Sequence, residues 1–241
     1  MTEKRIVVFA PHPDDETLGC GGTLVKRLKE GFEVWIVVLT RGQNLMAVVF
    51  DIHDSPNPDQ VCEIRREETR QATKILGVPL ENLICWDYDD GALDARAEDV
   101  LEQVLGILRE KKPGEVYCTN QYEGHPDHRA ASSVVRQACA LHDSPVKLYE
   151  YIVGLKHGTS VDDIEEPIEE IDISAELSMK REAVKVFKSH LDVLSDAQPH
   201  PVFSDDDVAS FLQPFESFVV TAHGSLNSKA VCQNRHRAGC R

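Results

Sequence analysis

Histidine and aspartate side chains that could bind a metal are concentrated in two short segments of the chain. Residues 11–16 read Pro-His-Pro-Asp-Asp-Glu, and residues 124–129 read Gly-His-Pro-Asp-His-Arg. Imidazole and carboxylate groups together are a common ligand set for zinc. In the first segment two prolines remove backbone donors and fix φ at about −65°, which stiffens the turn that carries the polar side chains. These residues predict a metal-dependent hydrolase.

Each segment also has a purely structural interpretation. Asp14, Asp15 and Glu16 could complement the positive end of a helix, and Asp127 could be the N-cap of another. Two His/Asp clusters at the ends of two strands are harder to explain as caps. The glycines of residues 19–22 match neither G-x-G-x-x-G nor a P-loop, so the sequence does not predict a phosphate-binding loop.

The number of ligands fits a single catalytic ion. A catalytic zinc takes three protein ligands and leaves one position for water. His12, Asp15 and one histidine of the second segment complete that number, which predicts one Zn²⁺ per chain. Asp127 could hold the other imidazole as a cation or fix its tautomer.

The elements that position these segments follow from alternating apolar and amphipathic stretches. Strands are predicted at residues 6–10, 33–39, 83–86, 115–119 and 147–152, and helices at residues 20–30, 58–76, 95–110 and 128–141. This order predicts an α/β fold, a Rossmann-like, doubly wound and mostly parallel sheet flanked by helices. Ligands of such sheets bind beyond the carboxyl ends of the strands, and each His/Asp segment follows a predicted strand.

The last third of the chain predicts a simpler organisation. Strands are expected at residues 168–173 and 215–220, with a helix at residues 175–191 and a solvated loop or helix start at residues 205–207. His190 could reach the site from this part of the chain, and residues 86–91 could line a substrate pocket or form an ordinary turn. We predict one domain over residues 1–220 and a loosely ordered tail over residues 221–241, which hold four basic residues and no acidic one.

Composition excludes several classes of partner. The chain has 241 residues and a net charge of −15, and such a surface repels nucleic acid and anionic membranes. It lacks the apolar run of about 18 residues that spans a bilayer, and its first residues do not resemble a signal peptide, so we expect a cytoplasmic protein. The seven cysteines form no C-x-x-C pair and are expected to be free thiols.

The two segments together resemble the PIG-L/LmbE-type deacetylases, zinc-dependent enzymes that act on N-acetylglucosamine-containing substrates. The resemblance rests on residues 11–16, 19–23 and 125–128, and on a helix in which Arg65 and Glu68 match the family's R-x-x-E pattern before a Leu-Gly pair. It extends over residues 6–140 and more loosely to residue 220.

This resemblance implies a metal site with an adjacent base. His12, Asp15 and His128 would bind the zinc. Asp14, the first aspartate of the pair, would be the general base that takes a proton from water.

The same resemblance implies roles for four further residues. His125, kept cationic by Asp127, would polarise the amide carbonyl and then help the amine to leave. Arg65 would contact sugar hydroxyls or a substituent. Glu123 stands where some members have an aromatic residue that assists the oxyanion, and it is predicted to influence substrate choice.

The sequence therefore predicts a hydrolase of the EC 3.5.1 type that removes an N-acyl group, acetyl first of all, from an N-acetylglucosamine-type sugar through a zinc-bound water. A metal phosphoesterase is an alternative, but such sites usually hold two metals about 3.5–4 Å apart, and the sequence offers ligands for one. An amidase for another N-acyl metabolite also remains open. A non-catalytic binding module would need neither Asp14 nor His125. The expected partners are a small sugar-like substrate and other copies of the chain.

Overall fold

The computed structural model describes residues 4–223, whose helices and strands largely follow the alternation of the sequence. The strands are β1 (Arg5–Ala10), β2 (Glu33–Thr40), β3 (Leu83–Tyr88), β4 (Glu115–Thr119), β5 (Val146–Tyr151), β6 (Ile168–Asp172) and β7 (Phe215–His223). The helices are α1 (Asp15–Lys29), α2 (Leu45–Phe50), α3 (Pro58–Leu76), α4 (Ala97–Lys111), α5 (Pro126–Leu141), α6 (Leu177–Val184), α7 (Lys188–Leu191) and α8 (Asp205–Phe211).

All seven strands belong to one sheet, in the order β3-β2-β1-β4-β5-β7-β6. The neighbours from β3 to β5 are parallel, whereas β7 is antiparallel to both β5 and β6. The predicted α/β fold with a mostly parallel sheet is confirmed. The strand order reverses between β1 and β4, which creates a crevice beyond their carboxyl ends. Both His/Asp segments begin at this crevice, because residues 11–16 follow β1 and residues 124–129 follow β4.

The sheet is covered by apolar side chains on both faces. Along β1, Ile6, Val8 and Ala10 belong to one core cluster, while Val7 and Phe9 belong to the other. This division follows from the geometry of a strand, in which successive side chains point to opposite faces. The continuous apolar run of β1 is therefore buried on both sides, as expected for the central strand of a doubly wound sheet.

Several element boundaries differ from the sequence prediction. Helix α1 begins at Asp15, five residues before the predicted start, because its first turn consists of buried polar residues. The predicted helix at residues 175–191 is divided into α6 and α7, since the chain turns at residues 185–187 and buries Phe187 in the core. The short helix α2 was not predicted.

The C-terminal part of the chain differs from the prediction at one boundary. Strand β7 continues to His223, three residues into the predicted tail, and residues 224–241 lie outside the described residues. The run at residues 205–207 is a helix start, with Ser204 as the N-cap of α8.

Two expectations from composition can be compared with residues 4–223. The five cysteines in this range are free, as predicted: Cys20, Cys62, Cys85, Cys118 and Cys139. Cys232 and Cys240 lie outside it. Within the same range, none of the helices combines the length and the apolar character that a bilayer crossing requires.

Candidate active site

The turn after β1 presents two adjacent carboxylates in different directions. Asp15 is the first residue of α1, and its Oδ2 accepts the backbone N–H of His12 at 2.8 Å. Asp14 precedes the helix with a φ of 142°, a conformation that non-glycine residues rarely adopt. Backbone strain of this kind concentrates at functional sites. With this backbone, the Asp14 and Asp15 carboxylates contact different partners.

The loop after β4 supplies the histidines. His125 is the N-cap of α5, and its Nδ1 accepts the backbone N–H of Asp127 at 3.2 Å. His128 lies in the first turn of α5, where Thr119 Oγ1 donates to its carbonyl oxygen at 2.9 Å. The end of β4 and the start of α5 are thereby tied together beside the β1 turn.

The three predicted ligand side chains converge on one point. His12 Nδ1 lies 3.1 Å from His128 Nε2, and Asp15 Oδ2 lies 3.3 Å from each of these nitrogens. Four atoms bound to zinc at about 2.0–2.1 Å in a tetrahedron lie about 3.3 Å from one another. The three donor atoms therefore form one triangular face of a tetrahedral site, and the fourth position is available to water.

The surroundings of the two imidazoles also fit a cation. Burial alone would lower the pKa of His128, but Asp15 and Glu123 raise it to about 9. The pKa of His12 is raised well above its usual value, because Asp127, Asp15 and Asp90 outweigh burial. The carboxylates that favour a proton on these buried imidazoles would also favour a metal cation, which would take the place of the proton on each ligand nitrogen. Ligand atoms of His12, His125 and His128, and separately of His12, Asp90 and Asp127, also lie within 4.8 Å of one another.

Carboxylates hold both imidazoles from behind. His12 Nε2 lies 3.1 Å from Asp90 Oδ1 and 3.4 Å from Asp127 Oδ2, and His128 Nδ1 lies 3.2 Å from Glu123 Oε2. A carboxylate on the far nitrogen fixes the ring orientation of a metal-binding histidine and raises its basicity. These contacts fix the orientation of both imidazoles, as a metal site would require.

Asp127 and His125 differ from the sequence interpretation. The Asp127 carboxylate accepts the backbone N–H groups of Gly91 and Leu93, at 2.6 and 3.1 Å, and faces His12 rather than His125. Burial, with the positive charges of His12 and His128, lowers the pKa of His125 to about 4. This environment disfavours the cation that the sequence interpretation expects for His125. Because its Nδ1 accepts the backbone N–H of Asp127, Nε2 is the nitrogen that can carry a proton.

Glu123 also has a different environment from the one predicted. It is fully buried, and its Oε1 and Oε2 accept the backbone N–H groups of Val153 and Gly154 at 2.7 and 2.8 Å. Together with the contact to His128, these bonds occupy both carboxylate oxygens. Glu123 supports a predicted metal ligand and the loop after β5, although it was expected to bind substrate.

Asp14 lies beside the triangle of donor atoms but points to other partners. Its Oδ2 lies 3.2 Å from Arg65 Nη2 and 3.2 Å from His190 Nε2. Burial raises the pKa of Asp14 to about 7, although the Arg65 guanidinium opposes the shift. A carboxylate with a pKa near neutrality is suited to general base catalysis.

Arg65 is buried and makes several contacts with the protein. In addition to Asp14, it donates to the carbonyl oxygens of Gly42 and Pro13, at 2.8 and 3.2 Å. It also lines the cavity. The structure thus places the predicted substrate ligand at the site, with much of its hydrogen-bonding capacity used to hold the Asp14 turn.

His190 and Asp90 are the two site residues for which the sequence offered least support. His190 is buried, and a chain of contacts leads from its Nδ1 to Ser189 Oγ at 3.1 Å and on to Glu68 Oε2 at 2.6 Å. The Glu68 of the R-x-x-E pattern therefore anchors the segment that carries His190. Asp90 follows β3 in a stretch of three aspartates, and nothing in that pattern distinguishes it from its neighbours.

These side chains form the floor of a cavity of about 350 Å³. The lining includes His12, Asp14, Asp15, Arg65, Asp90, Glu123, His125, His128 and His190. A small molecule that enters this cavity would meet Asp14, His125 and the three predicted metal ligands.

A family model and curated relatives with deacetylase names match this chain. A family model described as PIG-L, GlcNAc-PI de-N-acetylase, matches residues 7–139, which is more than half of the chain. The chain is 33% identical over 132 residues to the diacetylchitobiose deacetylase of Thermococcus kodakarensis, a match that covers 53% of this chain and 46% of that protein.

A second relative has a related name. The chain is 32% identical over 157 residues to the 1D-myo-inositol 2-acetamido-2-deoxy-alpha-D-glucopyranoside deacetylase 2 of Saccharopolyspora erythraea, covering 58% of this chain and 57% of that protein. The matches span about half the length of these two curated relatives.

The fold is shared with solved structures over a larger part of the chain. The N,N'-diacetylchitobiose deacetylase from Pyrococcus horikoshii, solved in complex with its inhibitor MPG, gives a TM-score of 0.68. The comparison covers 90% of this chain and 84% of that chain at 23% identity. An identity this low supports the fold and carries no statement on substrate.

Proposed function

This chain belongs to the PIG-L family of GlcNAc-PI de-N-acetylases, and from that premise we propose that it hydrolyses the N-acyl group, acetyl in the first place, of an N-acetylglucosamine-type sugar or sugar conjugate. The observation that carries the proposal is the convergence of His12, Asp15 and His128 within 3.3 Å of one another beside the buried Asp14. The reaction breaks the amide C–N bond, forms a C–O bond with water, and releases an amine and a carboxylic acid.

His12 Nδ1, Asp15 Oδ2 and His128 Nε2 would hold one Zn²⁺. When bound, zinc lowers the pKa of water from about 15.7 toward 7 and polarises a carbonyl oxygen. Asp90 and Asp127 keep the His12 imidazole in place. Glu123 does the same for His128.

Asp14 and His125 supply the proton chemistry. Asp14 takes a proton from the attacking water, and in its protonated form it can return that proton to the leaving nitrogen. His125 donates its Nε2 proton in a hydrogen bond to the carbonyl oxygen as negative charge develops there. One preorganised donor of this kind is worth about 3–4 kcal/mol of the barrier.

A panel of N-acetylated sugars tests this function directly. We expect primary amine to be released from at least one N-acetylglucosamine derivative, to be lost after chelation and to return with Zn²⁺. The Asp14→Asn variant provides the background rate. If no amine is released from any sugar while other N-acyl metabolites are hydrolysed, the sugar assignment is wrong and the amidase alternative holds.

A phosphoesterase is the second candidate, and metal content separates it from the first. Both groups of nearby ligand atoms contain His12, so they overlap in one residue. We expect one zinc per chain by atomic absorption. A ratio of two, with release of phosphate from a phosphomonoester, would favour the alternative.

The proposal extends to assembly and location. We also propose that copies of the chain associate, as the family resemblance suggests, and that the enzyme works in the cytoplasm. Light scattering at assay concentration tests the first point, since a mass of one chain would contradict it.

A further inference from the structure

The cavity that contains the reactive groups has an apolar wall as well as a polar floor. Six residues from α2, α8 and the segment before α8 form this wall: Leu45, Val48, Val49, Val202, Phe203 and Phe211. They line the same cavity as Asp14 and the predicted metal ligands. A molecule whose amide reaches the metal centre would therefore extend along these side chains.

Helix α2 exposes apolar side chains to an unusual degree. Val48 is 75% exposed and Val49 is 46% exposed, although the neighbouring Met46 is buried. Burial of apolar surface is favourable in proportion to its area, so two adjacent exposed valines at the cavity wall offer a binding contribution to an apolar ligand.

The wall begins directly beside the proposed base. The ring of Phe203 stacks on His190 with a centroid distance of 4.6 Å, and His190 Nε2 lies 3.2 Å from Asp14 Oδ2. Phe211 lies next to Phe203, at a centroid distance of 5.4 Å. The apolar surface is thus continuous with the reactive centre.

Away from the predicted metal ligands, the charges of the cavity disfavour an anionic substituent. Among its described lining residues Arg65 is the one Lys or Arg side chain, and it is buried and bonded to Asp14 and two backbone carbonyls. The exposed Asp207 also lines the cavity. A phosphate or carboxylate on a substituent that lies along the apolar wall would meet no lysine or arginine among the six wall residues and would be repelled by Asp207.

From this juxtaposition we propose that the substrate is an amino sugar bearing an uncharged apolar substituent, which packs against Val48, Val49 and the two phenylalanine rings. The proposal rests on the deacylase function above and names its substrate class. The shared chemistry is an alkyl or aryl group, attached either at the glycosidic position or as an N-acyl chain longer than acetyl.

A set of four substrates tests the proposal and separates these two attachments. The set consists of the methyl, hexyl and 5-carboxypentyl glycosides of N-acetylglucosamine, and N-hexanoylglucosamine. Each buried methylene favours binding by about fourfold. With part of the chain buried, we expect kcat/KM for the hexyl glycoside or N-hexanoylglucosamine to exceed that of the methyl glycoside by about tenfold or more. The faster of the hexyl glycoside and N-hexanoylglucosamine shows where the substituent is attached. The 5-carboxypentyl glycoside should not show the increase in kcat/KM over the methyl glycoside.

Paired variants locate the effect on the wall. Replacing both valines, Val48→Ser with Val49→Ser, should remove most of the ratio of kcat/KM between the apolar substrate and the methyl glycoside. Val193→Ser is the matched control, because Val193 is 51% exposed and is not among the residues that line the cavity. A preference that survives in the double variant would overturn the proposal.

The two levels of the argument fail in different ways. Equal kcat/KM for the methyl glycoside and both apolar substrates would overturn the substrate class and leave the deacylase function intact. Absence of amine release from all four with Zn²⁺ present would contradict the deacylase function. In that case calorimetry with the methyl and hexyl glycosides of N-acetylglucosamine and with N-hexanoylglucosamine still decides about the wall, since equal affinities of all three contradict it.

Discussion

At the scale of single residues, Asp14 and Asp15 show how neighbouring carboxylates acquire different roles. Asp15 faces two imidazoles, and although burial opposes ionisation, His128 and His12 keep its pKa well below the usual value. Asp14 is turned away by its unusual φ, and burial raises its pKa to about 7. A fixed anion suits a metal ligand, whereas a group that exchanges protons near neutral pH suits a base.

We therefore expect Asp14→Asn to lower kcat by about 10²–10⁴-fold, because the amide cannot accept the proton of the attacking water. Zinc content by atomic absorption should be unchanged, since Asp14 is not among the three proposed ligands. Asp207→Asn, at an exposed position of the same cavity, is the control and should retain activity. Full turnover in Asp14→Asn would show that another group is the base.

His190 is expected to act through Asp14 as a positioning residue. His190→Phe should lower kcat by about 10- to 100-fold, the value of a hydrogen bond to a charged group, with KM little changed. Partial rescue by His190→Gln, whose amide can donate or accept a hydrogen bond, would distinguish this role from a loss of packing. An unchanged urea unfolding midpoint in both variants is the control. A parallel loss of stability and activity would instead make His190 a purely structural residue.

Part of the spatial arrangement of the site was predictable where short motifs fix local geometry. His12 and Asp15 lie within one turn, so their proximity was predictable. The sheet topology predicted that one histidine of residues 124–129 would lie near them, and the family resemblance pointed to His128. The partners of Asp127 and Glu123 were not predictable. Their carboxylates bind backbone N–H groups of the loops after β3 and β5, and the side-chain types alone do not specify which N–H groups lie nearby.

At the scale of elements, α1 explains the glycines that follow the first motif. A Cβ on Gly19 would lie 2.2 Å from the ring of Tyr151, and one on Gly22 would lie 2.4 Å from Ile173. A Cβ on Gly21 would lie an ordinary 3.5 Å from Leu76. Gly19 and Gly22 therefore allow α1 to lie close to Tyr151 of β5 and to Ile173 after β6. Helix α1 in turn positions Asp15.

Gly22→Ala and Gly21→Ala form a matched pair in one helix. Alanine gains about 0.8–1.0 kcal/mol of helix propensity at either position. Overpacking against Ile173 costs about 1–3 kcal/mol. We expect urea unfolding to show Gly21→Ala at or above the wild-type stability and Gly22→Ala below it. Equal stabilities would mean that α1 does not need the close approach.

Elements were predictable from sequence where apolar periodicity is strong and less so where tertiary contacts decide. The strands β1, β2 and β4 are short apolar runs, and their predicted bounds agree with the structure within one residue. The start of α1 and the division between α6 and α7 were not predictable. Buried polar side chains begin α1. The packing of Phe187 interrupts the helix predicted at residues 175–191.

At the scale of the whole molecule, the candidate site joins distant parts of the chain at the switch point of the sheet. His12 and His128 are 116 positions apart, Asp90 lies in the loop after β3, and His190 lies in α7. The parallel order of β1 and β4 followed from the strand–helix alternation, so the meeting of the two motifs was predictable. The contribution of Asp90 and His190 depends on loop paths, which the alternation does not determine.

Because the three proposed ligands converge only when the sheet is formed, zinc should stabilise the folded chain. Binding that is specific for the folded state adds about 2.7 kcal/mol at a free concentration of 100 times Kd. For a domain of this size each kcal/mol raises Tm by about 2–4 °C, so we expect a rise of about 5–10 °C over the chelated protein. Calorimetry of the chelated and zinc-loaded protein measures this shift. The rise should persist in Asp14→Asn and disappear in His128→Asn, because only the second change removes a proposed ligand. A full rise in His128→Asn would place the ion elsewhere, and the most direct alternative is the group of His12, Asp90 and Asp127.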